Sequence, residues 1–317
     1  MSPNPEHQAA EAQHGLIELA AALPAVVRIG TSSWNYPGWL GLVYDPPFPT
    51  RHAPSQLLRQ YVRHPLFRTV GIDHSFYKPL DAPTLAEYAE ALPAGFLCVS
   101  KAWKRVTSPV DEESMEPNPD FLDAARMIDA VVAPLVEHFA AHLGPIVLEF
   151  ESLARAPWLT PDQFIETLDR FLDRIPRTVN YAVEIRNPAL LTAPYFAVLR
   201  AHGVAHCFNA WTDMPSIAEQ MALPDSTTAD FLVARALLTR GRKYSTSVKE
   251  FEPYDRIQKP APEVRSHLTQ LMDLAVNLGT PLYLLVNNRL EGSAPATIRA
   301  VAEQWAAGHT SGRSRTA

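Results

Sequence analysis

Cysteine is scarce in this chain of 317 residues, which has only Cys98 and Cys207. The two lie far apart and each falls inside an apolar run, so they are poorly placed for the disulfide framework of a small secreted domain. Buried thiols of this kind are typical of proteins kept in a reducing compartment. We therefore expect a cytoplasmic protein.

Long hydrophobic runs and an excess of positive charge are also absent. No segment is long and apolar enough to cross a bilayer, and the first residues lack the basic stretch of a signal peptide. The formal net charge of -6 excludes a global cationic field. Binding to nucleic acid or to an anionic membrane would therefore require a local basic patch.

Several familiar catalytic signatures are missing as well. The chain has no Walker loop, no HExxH, no CxxC and no G-x-S-x-G, which removes the sequence support for the common ATPases, zinc proteases, zinc fingers and α/β-hydrolases. The glycine-rich phosphate turn of a doubly wound dinucleotide-binding fold does not follow the first predicted strand. What remains is a globular composition, 47% hydrophobic and 20% charged, that can bury a sizeable core.

Short apolar runs alternate along the chain with segments of helical periodicity. Eight strands are predicted, starting near residues 26, 67, 96, 145, 180, 204, 230 and 281. Eight such units without a linker predict a single α/β domain, a (β/α)8 TIM-barrel-like fold with parallel strands, over residues 26–307. Residues 1–25 and 308–317 are predicted to be mobile tails.

Two longer inserts, residues 103–119 and 237–260, follow predicted strands. In a barrel both would lie over the mouth formed by the C-terminal ends of the strands, where the active sites of this fold are found. The second insert contains TRGRKYSTSVKEFEPYDRIQK, in which basic residues outnumber acidic ones and aromatic rings are interleaved. Such a segment suits a phosphate or a nucleic-acid backbone, and it is equally typical of a solvated loop.

Alternation along the strands predicts which charged side chains face the barrel axis. In YAVEIRNP, packing Val183 and Ile185 against the helices sends Glu184 and Arg186 inward. Applied to the other strands, the same rule predicts one inward cluster at the mouth. The cluster consists of Asp73, Glu149, Glu184, Arg186 and Arg235, with Lys101 close by at the end of the third strand, where the alternation is ambiguous. Its candidate catalytic members are Asp73, Lys101, Glu149, Glu184 and Arg186. Buried charges are costly unless they are paired, so the cluster is either a structural ion network or a binding site.

A second set of residues is predicted to bind the substrate. Flat rings beside charged groups suit stacking on a sugar or a base, although a ring on a loop is also a common part of the loop core. The set consists of Trp34, Tyr36, Tyr77, Trp103, Arg235, Tyr244, Asn287 and Asn288.

Metal binding has weaker support in the sequence. Oxygen and nitrogen donors of the right type occur near strand ends, at Asp73, His74, Glu149, Glu184 and His206. Their spacing matches no metal motif, so no metal site is predicted. The cofactor is therefore unknown, and a divalent metal stays an open alternative.

Six motifs occur in a recognisable order along the chain. They are RIGTSSWNYPGW, TVGIDHSFY, KAWKRVT, LGP, YAVEIRNP and YLLVNNRLEGSAP. Together they resemble the YecE-like family, the domain of unknown function DUF72, over residues 28–302. The resemblance implies a TIM barrel and a family without an established activity. Carried over by position, it implies family residues at Lys101, Glu184, Arg186, Asn287 and Asn288.

The chain departs from the family pattern at several positions. On the second strand, the resemblance implies an acid where this chain has Gly71, an Asn at Asp73 and a small residue at His74. It also implies a Gln at Glu149 and a His at Ser108. Losing one acid and gaining two others suggests that charge has been relocated within the same cavity.

Three functions are compatible with these observations. The first is an enzyme, of hydrolase or isomerase/lyase type, that acts on a small polar anionic or sugar-like substrate in the barrel mouth, with Glu184 as general acid or base. The second is a barrel that binds or processes nucleic acid through the basic insert and the aromatic rings. The third is a ligand-binding barrel without catalysis, in which the charge cluster is structural. No membrane partner is expected, and the sequence does not indicate an oligomeric state.

Overall fold

The protein is described by a computed structural model that covers residues 5–45 and 54–313. In these ranges eight parallel strands form a closed barrel, in which each strand pairs with the next along the chain and the last pairs with the first. This confirms the predicted α/β, TIM-barrel-like class and all eight predicted strands. The strands are β1 (Val27–Thr31), β2 (Thr69–Ile72), β3 (Leu97–Lys101), β4 (Leu143–Phe150), β5 (Tyr181–Ile185), β6 (Ala205–Ala210), β7 (Leu232–Ala236) and β8 (Leu282–Val286).

Helices surround the barrel. Within the described ranges they are α1 (Pro5–Ala22), α2 (Pro54–Tyr61), α3 (Ala82–Ala91), α4 (Lys104–Thr107), α5 (Ala124–Met127), α6 (Ala133–Phe139), α7 (Pro161–Leu172), α8 (Ala193–His202), α9 (Ile217–Met221), α10 (Tyr244–Phe251), α11 (Pro262–Leu278) and α12 (Ala294–Arg313). A π-helical turn, Ile128–Val132, joins α5 to α6. None of the helices in this part of the chain is both long and apolar enough to cross a membrane.

Helix α7 shows how the local sequence forms an element. Thr160 caps its N-terminus by accepting a hydrogen bond from the backbone of Gln163, whose side chain bonds back to Thr160. This capping box satisfies backbone donors that the first turn leaves without partners. Phe164, Leu168 and Phe171 then fall on one face of the helix and are buried against the barrel.

Strand alternation produces two apolar layers, one inside the barrel and one around it. Val183 and Ile185 belong to the outer layer, between the strands and the helices, as the alternation predicts. The inner layer includes Val99, Val147, Ala182, Cys207, Val233, Tyr283 and Leu285. Since the inward positions further along the strands are charged, the polar part of the interior is confined to the C-terminal mouth.

The opposite end of the barrel is closed by Arg68 and the chain that follows α1. The half-buried Arg68 guanidinium donates hydrogen bonds to the backbone carbonyls of Ala20 (2.6 Å), Leu23 (3.3 Å), Pro24 (2.7 Å) and Val27 (3.2 Å). The acceptors are one carbonyl in the last turn of α1 and three in the chain that leads from α1 into β1. They attach α1 to the first strand of the barrel.

Both segments that the sequence analysis predicts as tails contain helix in the described ranges. Helix α1 covers most of residues 5–25, and α12 continues through residues 308–313. The mobility of these segments stays a prediction. Residues 1–4 and 314–317 lie outside the described ranges.

The two inserts lie at the C-terminal mouth, and each lines a cavity there. Residues 103–119 contain α4, and residues 237–260 contain α10. A short 3₁₀ turn, Asp73–Phe76, follows β2 at the same end. The mouth is therefore built from the ends of the strands and from these loops.

Candidate functional site

A cavity of about 330 Å³ opens at the C-terminal ends of the strands. Its wall combines charged strand-end side chains with aromatic rings from the loops. The lining residues are Asp73, Phe76, Tyr77, Lys101, Glu149, Glu151, Arg186, Trp211, Arg235, Leu237, Tyr244, Asn287 and Arg289. Convergent polar side chains beside aromatic rings in one cavity make it the candidate site.

Strand register brings the charged side chains together. Glu149 of β4 is the direct partner of Glu184 in β5, and Arg235 of β7 lies beside Asn209 in β6. In a parallel sheet, partners on one face point the same way. Alternation turns Glu184 and Arg235 towards the barrel axis, and a hydrogen bond between them shows that the two side chains meet there, in one charged layer.

Arg235 is the centre of this layer. It is almost fully buried, and its guanidinium contacts three carboxylates. Nη1 donates to Glu149 Oε2 (2.6 Å) and to Glu184 Oε2, and Nη2 donates to both oxygens of Asp73 (3.0 and 3.1 Å). Burial alone would lower the pKa of Arg235, but these carboxylates raise it well above its usual value.

Glu149 forms ion pairs with three cations. Its carboxylate lies 2.5 Å from Lys101 Nζ, 2.8 Å from Arg186 Nη2 and 2.6 Å from Arg235 Nη1. Burial by itself would raise the pKa of Glu149, but Arg186, Lys101 and Arg235 together hold it well below its ordinary value. Glu149 is therefore a permanent anion at neutral pH.

Glu184 lies beneath the cavity and does not line it. It has no exposed surface, and it accepts hydrogen bonds from Arg186 Nε (3.2 Å) and from Arg235. Burial would lower the pKa of Arg186, but Glu149 and Glu184 raise it. Glu184 thus fixes the orientation of both arginines.

Asp73 is the most exposed carboxylate of the charged layer. Its side chain is 23% exposed, compared with 3% for Glu149 and none for Glu184. It lies at the start of the 3₁₀ turn after β2, where Arg235 holds both its oxygens and Lys101 Nζ is 4.0 Å away. Asp73 therefore combines a fixed position with access to the cavity.

Gly71, two residues before Asp73, lies where the protein has no room for a side chain. A Cβ atom on Gly71 would lie 2.5 Å from the Ser32 carbonyl oxygen, so the backbone of β1 leaves no room for a side chain. The acid that the family pattern places at this position does not fit here. Asp73, on the same face of the chain, supplies a carboxylate to the cavity instead.

Aromatic rings cover the cations of the cavity. The Arg186 guanidinium carbon lies 3.7 Å from the centre of the Trp211 ring, and Lys101 Nζ lies 4.2 Å from that of Phe76. Arg289 lies over the Tyr244 ring at 4.2 Å. Such cation–π contacts hold a charged side chain in place without neutralising it. Tyr77, at 72% exposure, forms the outer edge.

Several predicted substrate-binding residues lie elsewhere. Trp34 is buried against His74 and Tyr88, and its Nε1 donates to the Pro54 carbonyl. Asn288 Oδ1 accepts from the ring of Trp39 and from the backbone of residue 294. Both residues are parts of the loop core. Their side chains are turned away from the cavity, whereas Asn287 lines it.

Two further predicted rings lie beside the cavity. Tyr36 packs against Trp39 and Tyr254. Trp103 lines a neighbouring cavity of about 300 Å³, which also contains Tyr77, Lys104 and Arg105. Since Tyr77 lines both cavities, the two are adjacent.

The five candidate metal donors do not form one site. His74 lies in the aromatic contact with Trp34 and Tyr88, and His206 lies on the outer side of β6 with Tyr195 and Gln220. The three carboxylates are occupied by Lys101 and the two arginines. Across residues 5–45 and 54–313, no group of three or more His, Cys, Asp or Glu side chains is arranged to hold a metal ion.

Arg289 and Phe76 line the cavity and are missing from the predicted site. Phe76 belongs to the predicted second-strand segment, and Arg289 follows the Asn pair of the eighth strand by one residue. Both lie beyond the regular strands, where alternation gives no direction. Their proximity to strand ends is the only signal that the sequence offered.

A larger cavity, of about 710 Å³, lies between the loops after β6 and β7 and the start of α11. Trp211 lines both this cavity and the charged one. Most of its lining residues are apolar, and of its charged residues Glu219, Arg240 and Glu263, the first two face each other at 3.7 Å near the surface. It lacks the concentration of buried charge found at the strand ends, so we place the functional site in the smaller cavity.

The chain was compared with protein families and with solved structures. The family model described as "Protein of unknown function DUF72" matches residues 28–316. A DUF72 family protein from Thermotoga maritima is similar in structure, with a TM-score of 0.58 and 21% sequence identity, over 88% of this chain and 97% of that one. A DUF72 family protein from Enterococcus faecalis has a TM-score of 0.60 and 14% identity, over 88% and 94% of the two chains. No curated protein matches.

Proposed function

This chain belongs to the DUF72 family, and from that premise we propose that it is an enzyme that transfers a proton to or from a small polar substrate bound in the charged cavity. The observation that carries the proposal is the position of Asp73. This carboxylate is partly exposed to the cavity, and yet Arg235 fixes both its oxygens. A base that is held in place and reaches the substrate is the first requirement of acid–base catalysis.

The cations around Asp73 supply the second requirement. Lys101 and Arg186 line the same cavity and are held by Glu149. When a base removes a proton next to a carbonyl group, negative charge develops on the carbonyl oxygen, and fixed cations stabilise it. A preorganised cation needs no rearrangement during the reaction, because Glu149 and Glu184 already fix its position.

The same arrangement favours isomerase or lyase chemistry over glycoside hydrolysis. The two-carboxylate hydrolysis of a glycosidic bond requires one carboxylic acid whose pKa is raised so that it can protonate the leaving group. In this cavity Glu149 has its pKa shifted in the opposite direction by three cations. Glu149 is therefore suited to holding cations and not to donating a proton.

The role assigned to Glu184 changes with this proposal. Glu184 has no exposed surface and does not line the cavity. We assign it as a positioning residue for Arg186 and Arg235, with Asp73 as the group that exchanges the proton.

A ligand-binding barrel without catalysis is the second candidate. It is favoured by the balance of charge in the layer, where Asp73, Glu149 and Glu184 face Lys101, Arg186 and Arg235. Three anions and three cations in mutual contact are a complete network on their own. In that case replacing Asp73 would alter stability or ligand affinity and no chemical step.

The test is proton exchange with solvent. Wild-type protein in D₂O is incubated with a panel of hydroxy acids, keto acids, uronates and sugar phosphates, and deuterium incorporation or product formation is followed by NMR. Asp73→Asn should reduce the rate on an active compound by roughly 10²-fold or more. The matched control is Asp255→Asn, which removes an aspartate of the second insert paired with Arg256, and it should keep the wild-type rate. Full activity of Asp73→Asn would contradict the assigned role.

A further inference from the structure

We infer that Arg289 is the anchor for a negatively charged group, a carboxylate or a phosphate, so that the ligand of the charged cavity is an anion. The inference rests on the proposed function in that it places the ligand in the same cavity. It also names the class of ligand, which the proposed reaction leaves open.

Arg289 differs from the other cations of the cavity in its partners. Lys101, Arg186 and Arg235 each lie within 4.0 Å of at least two carboxylates. Arg289 lines the same cavity, but no carboxylate in the described part of the chain lies within that distance of it. A half-buried guanidinium without a counter-ion is costly to maintain unless a ligand supplies one.

The surroundings of Arg289 hold it in place without neutralising it. Its guanidinium stacks on the Tyr244 ring at 4.2 Å. Burial raises the pKa of Tyr254, and the nearby Arg289 lowers it, which places the Tyr254 hydroxyl beside the guanidinium. These contacts limit the rotamers of Arg289, so less entropy is lost when it binds an anion.

The loop that carries Tyr254 is strained. The φ angle of Tyr254 is +73°, in the left-handed region that bulky residues rarely adopt. Such strain is found mostly at functional sites. Here the strained residue is the one that brings its ring and hydroxyl towards Arg289 and Tyr36. The backbone is therefore held in an unfavourable conformation next to the unpaired cation.

The balance of charges in the cavity makes Arg289 the residue that determines the sign of the charge on the ligand. The six-residue layer of Asp73, Glu149, Glu184, Lys101, Arg186 and Arg235 is formally neutral. Glu151 also lines the cavity and lies 3.2 Å from Lys104, a cation that it shares with Glu112 at 2.6 Å, so Arg289 differs from the other cations in having no carboxylate partner among the described residues. An entering anion is therefore attracted chiefly by Arg289. The planar guanidinium fork matches carboxylate and phosphate oxygens in a two-bond geometry.

The hydroxyl of Tyr36 is electrostatically coupled to both Arg289, the proposed anchor, and Asp73, the proposed base. Burial raises the pKa of Tyr36 to about 12, Arg289 opposes the rise, and Asp73 adds to it. One hydroxyl therefore lies within electrostatic reach of both groups. Arg289 and Asp73 also line the same cavity, so a small anion bound to Arg289 would share that cavity with the proposed base, as a proton transfer to or from the ligand requires.

The experiment is a calorimetric titration of the full chain with two probes, inorganic phosphate and acetate, in a chloride buffer. Wild-type protein should bind at least one of them saturably, and the comparison of the two affinities tells a phosphate site from a carboxylate site. Arg289→Gln should weaken that binding about tenfold or more, the size expected for a charge-assisted bidentate contact. The matched control is Arg256→Gln, because Arg256 is an exposed arginine of the same insert with Asp255 as its partner. It should stay within about twofold of wild type.

Two results would overturn the inference: equal affinity of Arg289→Gln and wild type, or absence of saturable binding of both anions to the wild-type protein. Far-ultraviolet circular dichroism checks that the variants are folded. Asp73→Asn separates this inference from the proposed function. If it keeps anion binding and loses turnover, both stand. If turnover depends on Asp73 but anion affinity does not depend on Arg289, only the inference about Arg289 fails. If anion affinity depends on Arg289 but turnover does not depend on Asp73, the proposed reaction is rejected and Arg289 remains an anchor.

Discussion

Glu149 is the residue on which the charged layer depends most. It contacts three largely buried cations, Lys101, Arg186 and Arg235, whose side chains are 8%, 11% and 2% exposed. The desolvation cost of an ion pair is compensated only while both partners are present. Removing Glu149 should therefore lower the free energy of unfolding more than removing an exposed glutamate does.

We predict that Glu149→Gln lowers the free energy of unfolding by about 3–5 kcal/mol, because it leaves Lys101, Arg186 and Arg235 buried with one carboxylate fewer. Urea denaturation followed by fluorescence measures the change. The control is Glu151→Gln, since Glu151 is 43% exposed and paired only with Lys104 among the described residues. An exposed pair of this kind contributes about 0–1 kcal/mol. Equal effects of the two substitutions would show that the layer is not held together by Glu149.

At the level of secondary-structure elements, the strands explain why most of the fold and the charged layer could be predicted from sequence. The period of two fixes the direction of every side chain once one face is assigned. Val183 and Ile185 are apolar and pack on helices, so Glu184 has to point inward. The same rule finds Glu149 and Arg235. It does not give their partners, which depend on the register between strands.

Loops have no such period, and there the predictions were less complete. Trp34 follows β1 much as Tyr77 follows β2, but its direction is set by its hydrogen bond to the Pro54 carbonyl and by the packing of His74 against it. Asn287 lines the cavity while its neighbour Asn288 holds Trp39. The sequence does not predict Arg289, because what distinguishes it is that no acid of residues 5–45 and 54–313 lies within 4.0 Å of it, which only a three-dimensional arrangement reveals.

Strand β6 contributes a buried histidine on its outer side. His206 is 1% exposed and lies between Tyr195 of α8, at 3.1 Å from Nδ1, and Gln220 of α9, at 3.4 Å from Nε2. The rings of Phe196 and Phe208 meet it edge-on. Burial lowers the pKa of His206 from 6.5 to about 4, although Gln220 opposes the shift.

We predict that this histidine makes the protein less stable in mild acid. The pKa of His206 is lower in the folded state than in the unfolded chain, so between pH 6.5 and about 4 the unfolded chain binds more protons. Its contribution to stability is therefore complete above pH 6.5 and is lost as the pH falls towards 4. The loss is roughly 3 kcal/mol, at about 1.4 kcal/mol for each unit of pKa. The measurement is the free energy of unfolding against pH for wild type and His206→Gln, in which the variant should show a shallower slope. Identical slopes would contradict the prediction.

For the molecule as a whole, the distribution of charge argues against a nucleic-acid surface. The chain carries a formal net charge of -6. Within the second insert, carboxylates contact four of the six basic side chains, namely Arg240, Arg242, Arg256 and Lys259. Of the aromatic rings in that segment, Phe251 is fully buried and Tyr254 nearly so, whereas Tyr244 is 43% exposed and has Arg289 over its ring. A segment with mostly paired cations and a single exposed ring provides few of the backbone contacts and little of the stacking platform that single strands require.

We therefore predict that the purified protein does not bind short single- or double-stranded oligonucleotides at about 0.15 M salt more tightly than a dissociation constant of roughly 10⁻⁴ M, the weak limit of non-specific binding. Fluorescence anisotropy with labelled oligonucleotides measures this. The double variant Glu219→Lys/Glu250→Lys is the matched comparison, because it removes the acids that contact Arg240, Arg242 and Lys259, and neither acid lines the charged cavity. It should gain binding that weakens steeply with salt, since exposed cations release counter-ions from the nucleic-acid backbone. Tight, salt-dependent binding by the wild-type protein would contradict the prediction and would favour a nucleic-acid ligand over a small anion in the cavity.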